Sequence, residues 1–82
     1  MDRAAIRESM TGVFRDVFES DALTLRDDMS AQDIPDWDSF THVILITELE
    51  KVFNLRFTAA EVQDAANVGA FVDLVHRKLS AG

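Results

Sequence analysis

Ser39 is the residue in this chain whose type and setting best suit chemistry, standing between Asp38 and Phe40 in the run Asp36-Trp37-Asp38-Ser39-Phe40. The run leads directly into Thr41-His42-Val43-Ile44-Leu45-Ile46-Thr47-Glu48-Leu49-Glu50-Lys51-Val52-Phe53, whose apolar residues recur at helical spacing. Together they read as a turn that delivers one serine to the first turn of an apolar helix. A helix N-terminus has unpaired backbone N–H groups and the positive end of the dipole, so a phosphate there is stabilised. Two readings stay open on these residues alone. Ser39 carries a phosphodiester, or Ser39 or Asp38 caps the helix and does nothing more.

Other chemistries fail on residue type or spacing. A serine nucleophile needs a base, and His42 is three residues on, but it falls on the core side of the helix while Ser39 lies at its outer edge. The glycine-rich elbow of serine hydrolases is also missing. The chain has no cysteine, which excludes disulfides and thiolate metal sites, and His42 and His76 are too far apart for a local metal motif. Asp27, Asp28, Asp33, Asp36 and Asp38 suggest a calcium loop, yet the D-x-D-x-D-G spacing with its closing glutamate is absent. No metal ligand set is expected, and the acidic run reads as a solvated loop.

The elements that must hold Ser39 follow from periodicity. Ile6, Met10, Val13, Phe14, Val17 and Phe18 form one stripe of a first helix over about residues 3–19, capped by Asp2. Residues 20–38 make a long connection with the single proline, Pro35, near its end, and Leu25, Ile34 and Trp37 are expected to pin it to the helices. The second helix spans residues 39–53, with Asn54 as its stop. At about 100° per residue, Leu45, Ile46, Leu49, Val52 and Phe53 share one broad face, with His42 in its middle and Val43 at its margin. Phe40, Ile44, Thr47, Glu48 and Lys51 lie opposite, which leaves two large apolar residues on the wet side. Thr58 and Glu61 form a capping box for a short helix over 59–64. Asn67 caps a last helix over 68–79, with Val68, Phe71, Val72, Val75 and Leu79 on its stripe and Arg77 and Lys78 in its final turn. The fold expected is all-α, a four-helix bundle in one domain over residues 1–82. Phe14, Leu49, Phe53 and Phe71 should anchor its core.

Charge bounds the partners. Fifteen acidic residues against eight basic ones give a net charge of −7, which disfavours nucleic acid and anionic membrane surfaces. No stretch approaches the about 18 apolar residues of a membrane span, and no signal-peptide core follows Met1-Asp2-Arg3. A soluble, cytoplasmic monomer that docks on basic protein surfaces is the expectation.

Over essentially its whole length the chain resembles the acyl carrier proteins and the related peptidyl carrier proteins. Asp38-Ser39-Phe40 matches the family's Asp-Ser-apolar signature at the start of helix two. Val43, Leu45, Leu49, Glu50 and Phe53 match along that helix, and Asn67-Val68-Gly69 matches the opening of the last one. The resemblance implies that Ser39 is the attachment point of 4′-phosphopantetheine, transferred from coenzyme A by a magnesium-dependent phosphopantetheinyl transferase. Asp38 would be recognised by that synthase. The arm's thiol would carry an acyl or aminoacyl group as a thioester, for loading and downstream enzymes of a fatty-acid, polyketide, nonribosomal-peptide or envelope-related pathway. The domain itself would do no catalysis. Phe40, Ile44, Thr47, Glu48 and Lys51 would then be the partner face. The alternative from another class is a small helical interaction module without a prosthetic group, in which Ser39 is only a cap.

The chain also departs from the family pattern. The bacterial fatty-acid carriers have Gly-Ala-Asp-Ser-Leu where this chain has Pro35-Asp36-Trp37-Asp38-Ser39-Phe40. Ile44 and Lys51 stand at outer positions that are commonly acidic in those carriers. Ala65 replaces an apolar residue that closes their pocket on helix three. These differences point to a specialised carrier.

Overall fold

A computed structural model describes residues 2–81, which form α1 (Arg3–Val17), α2 (Ser39–Phe53), α3 (Ala59–Asp64) and α4 (Val68–Ala81). Asp2 starts α1 by accepting the Ala5 N–H at 2.8 Å, which satisfies one of the orphan donors of the first turn. Ile6, Met10, Val13 and Phe14 are buried along one stripe of α1, and α1 packs against both α2 and α4.

α1 ends two residues before the expected Glu19. The Ser20 N–H bonds back to the Arg15 carbonyl at 3.0 Å, a reversal that requires left-handed backbone at Glu19, where φ is 52°. Asn54 ends α2 in the same conformation, with φ at 53°. Thr58 and Glu61 form the capping box of α3, and the Asn67 side chain accepts the Ala70 N–H at 2.8 Å in the first turn of α4. α4 continues beyond residue 79 to Ala81, so of the expected pair only Lys78 lies in its last turn.

One assignment of a side chain to the core needs correction. Val52 was expected on the buried face of α2, but it is 52% exposed, whereas Leu45, Leu49 and Phe53 are buried. It stands at the edge of the stripe, beside the end of α1 but not covered by it. Val43, placed only at the margin of that face, is 65% exposed. In the long connection Ile34 and Trp37 are buried as expected, and Met29 joins them, while Leu25 is only partly buried.

The connection is held by backbone as much as by side chains. Met29 and Asp27 offer their carbonyls to the N–H groups of Val68 and Gly69, at 2.8 and 2.9 Å, and so satisfy donors at the start of α4. Gly69 permits this approach, since a Cβ there would lie 2.9 Å from the Asp27 Cβ and 3.0 Å from its carbonyl oxygen. Arg3 and Arg7 both pair with Asp27, Arg3 also reaches Asp73 at 2.7 Å, and Arg15 donates to the Leu23 carbonyl at 2.7 Å. A long loop tied at both ends and in the middle sets where Trp37, and hence Ser39, emerges.

Candidate functional site

Ser39 is the first helical residue of α2, and it is exposed. The cap is Asp38, not Ser39. One carboxylate oxygen, Asp38 Oδ1, accepts the N–H groups of Phe40 and Thr41, both at 3.0 Å. Thr41 completes the capping box by accepting the Asp38 N–H at 2.8 Å, and its hydroxyl donates to the Asp36 carbonyl at the same distance. These bonds, that from the Thr41 N–H above all, hold the Asp38 carboxyl below its usual range, against a smaller opposing effect of desolvation.

The capping box relieves Ser39 of any structural duty. Its hydroxyl has no hydrogen-bond partner among the described residues, and it lines a shallow depression with Ala31, Trp37, Asp38 and His42. A substituent on Ser39 Oγ therefore projects into solvent without breaking a contact. A phosphate on Ser39 finds fewer free donors at the helix terminus than the sequence implies, because Asp38 already holds the second and third N–H groups of α2. What is left for a phosphodiester is the helix dipole and exposure.

Below Ser39 lies a feature invisible to periodicity. Trp37 donates its indole N–H to His42 Nδ1 at 3.0 Å, and the two rings stack with centroids 6.0 Å apart. His42 is half-buried, with its pKa lowered by desolvation. It acts as a structural acceptor and offers no base to Ser39. The five-residue spacing of Trp37 and His42 across a helix start is the one signal that could have suggested the pair.

The residues expected to face partners fall into two groups. Phe40 is 75% exposed, and Thr47 and Lys51 are exposed with it on the outer side of α2. Ile44 is 39% exposed and leans with Glu48 toward Val13 and Val17 of α1. Glu48 is half-buried and pairs with Lys51 at 3.5 Å. Val43, which was not assigned to this face, is exposed beside Phe40 and extends the apolar surface. Among the described residues no cluster of acidic or histidine side chains could hold a metal ion, and no helix is long and apolar enough to cross a membrane.

The solution structure of a holo acyl carrier protein from Geobacter metallireducens matches this fold with a TM-score of 0.86 and 40% sequence identity. The match covers 90% of this chain and 85% of the other. The chain belongs to the acyl carrier protein family. As a member it is a carrier and not a catalyst. No family model and no curated protein matches the chain. The four helices, the long first connection and the short α3 are the acyl-carrier-protein fold.

Proposed function

We propose that the four helices act as one carrier domain in which Ser39 bears a 4′-phosphopantetheine arm. The observation that carries this reading is the placement of Ser39. It is exposed, unbonded and in the first turn of α2, while Asp38 alone does the capping. Ser39 Oγ would attack the pyrophosphate of coenzyme A, with its proton passing to a base of the phosphopantetheinyl transferase and adenosine bisphosphate departing. When bound, the group supplies the thiol on which an acyl or aminoacyl cargo travels as a thioester. Asp38, fixed by its two backbone N–H donors, offers the transferase a carboxylate in a constant position beside the serine.

The outer side of α2 supports a specialised role over a housekeeping fatty-acid one. Phe40, Val43 and Ile44 make it apolar, and Lys51 is paired with Glu48. With Thr47, these residues form the proposed docking face for loading and downstream enzymes. Polyketide, nonribosomal-peptide or envelope-related chemistry in the cytoplasm fits this surface. Incubation with coenzyme A and a broad-specificity transferase tests the central point. One phosphopantetheinyl group should be gained in wild type and none in Ser39→Ala, with equal helicity in both. Modification of the alanine variant would move the attachment point elsewhere.

A further inference from the structure

On the side of α2 that turns toward α1 lies an open groove of about 300 Å³, bounded by Val13, Asp16, Val17, Ile44, Glu48 and Val52. Ile44, Glu48 and Val52 stand four residues apart and form one ridge along α2, while Val13 and Val17 are four apart on α1. Val13 is buried and makes the floor, and Val17 is half-buried. Ile44 and Val52 keep 39% and 52% of their surface in water. The lining is therefore apolar, and no described residue closes over it.

Both charged residues of the groove are acids. Asp16 is exposed and joins no ion pair among the described residues. Glu48 meets only Lys51 of its own helix, at 3.5 Å. No cation lines the groove. An apolar slot between two carboxylates complements an apolar side chain that has cations beside it.

The same charges argue against a second copy of this chain as the occupant. A two-fold dimer sets one patch against itself, so Asp16 and Glu48 would face their own counterparts across the interface. Six residues also fall far short of the about 20–30 a side that a stable protein interface uses. A short segment is the better fit, and a helix laid into a groove presents its anchors one turn apart, as the α2 ridge does.

We propose that the groove between α1 and α2 docks a basic amphipathic helix of a partner protein. One large apolar side chain enters between Val13, Val17, Ile44 and Val52, and flanking arginine or lysine residues meet Asp16 and Glu48. The proposal does not rest on Ser39 bearing the arm, because Ser39 does not line the groove. Phe40 and Val43 lie outside it as well, so a partner held there leaves the surface beside the serine open. Docking of this kind tethers the carrier and raises the effective concentration of the serine at the partner's site.

The test uses a labelled synthetic helix with leucines one turn apart and arginines flanking them, and reads binding by fluorescence anisotropy. Wild type and Ser39→Ala should bind it equally, and both should fail to bind a peptide with glutamate in place of arginine. Asp16→Lys should weaken binding by about fivefold or more, the usual ceiling for one surface ion pair. Val52→Lys, which puts a cation into the apolar lining, should weaken it further. Asp64→Lys makes the same change in net charge on α3, outside the groove, and should have a much smaller effect. Residues 16, 52 and 64 are all exposed, so the three variants should melt like wild type. Equal weakening by Asp16→Lys and Asp64→Lys would overturn the proposal, leaving net charge alone as the attraction. Absence of binding to wild type would overturn it too, as would a concentration-dependent dimer of wild type that Val52→Lys abolishes, which would make the groove a contact between copies. Loss of binding in Ser39→Ala alone would move the docking site to the serine.

Discussion

Trp37 and His42, five residues apart and on either side of the start of α2, share a hydrogen bond of 3.0 Å from indole N–H to Nδ1. The bond requires an unprotonated Nδ1, so it fixes His42 as the neutral tautomer with its proton on Nε2. It also joins the end of the long connection to the helix that presents Ser39.

Stability should therefore fall on mild acidification. Desolvation holds His42 below the usual imidazole value of 6.5, so between that value and the native one the unfolded chain binds more protons. The contribution is complete above 6.5 and is lost as pH falls through the window below it. His42→Gln keeps an acceptor for Trp37 but does not titrate there. Melting curves should show an acid-side loss in wild type that the glutamine variant lacks. Equal losses in the two would show that His42 is not the titrating group.

Asp38 has two proposed tasks, capping α2 and marking Ser39 for the transferase, and two substitutions separate them. Asparagine caps about as well as aspartate but carries no charge. Asp38→Asn should thus keep the cap, losing from the melting temperature only the contribution of the charge, while slowing modification of Ser39. Asp38→Ala should lower both. Unchanged modification kinetics in the asparagine variant would leave the residue with its cap alone. In wild type the capping bonds keep the carboxylate ionised, so their contribution is present above the ordinary carboxylate range and disappears as pH drops through the lowered native value.

The two helical glycines should respond to alanine in opposite directions. Gly12 is exposed on α1 with open space where a Cβ would go, so Gly12→Ala should stabilise by about 1 kcal/mol through helix propensity. At Gly69 the same Cβ would meet Asp27 at 2.9 Å, and the backbone clamp on α4 would have to give. Overpacking of this kind costs about 1–3 kcal/mol, more than propensity returns. Urea melts of the two variants read both signs at once.

Much of this architecture was legible because helices advertise themselves by period and by caps. The stripes of α1 and α4, the stop at Asn54 and the Thr58–Glu61 box depend on residues close in sequence. What was not legible depends on distance. Arg3, Asp27 and Asp73 come together from three parts of the chain, and no local pattern records that. The Met29 clamp uses a carbonyl, which every residue has. Val52 failed for a related reason: periodicity tells which way a side chain points, but not how far a neighbour extends over it. At the site, Ser39 was singled out correctly as a helix start, but the division of labour with Asp38 needed coordinates. Two acceptors compete for the same N–H groups, and the spacing alone did not say which would win.

Phe40 and Val43 should matter to partners and not to the fold. Both are largely exposed, on neighbouring outer positions of α2 beside Ser39, so an enzyme reaching an arm on that serine must pass over them. Substitution of exposed residues without special contacts changes stability by no more than about 0.5 kcal/mol. Full burial of a phenylalanine or valine side chain in an interface is worth about 1.5–3 kcal/mol, which corresponds to about 10- to 150-fold in affinity. A surface ion pair such as Glu48–Lys51, at the far end of the same face, contributes at most about 1 kcal/mol. Phe40→Ala with Val43→Ala should therefore melt like wild type and load normally from small coenzyme A thioesters, yet lose at least tenfold in kcat/KM with its dedicated partner enzyme. Ile44→Glu with Lys51→Glu gives the complementary change, restoring the acidic outer positions of fatty-acid carriers. That pair should improve turnover by a fatty-acid enzyme and weaken the native partner. If both double variants serve the native partner as well as wild type does, recognition lies away from the outer side of α2, and the acidic connection before Trp37 is the next surface to mutate.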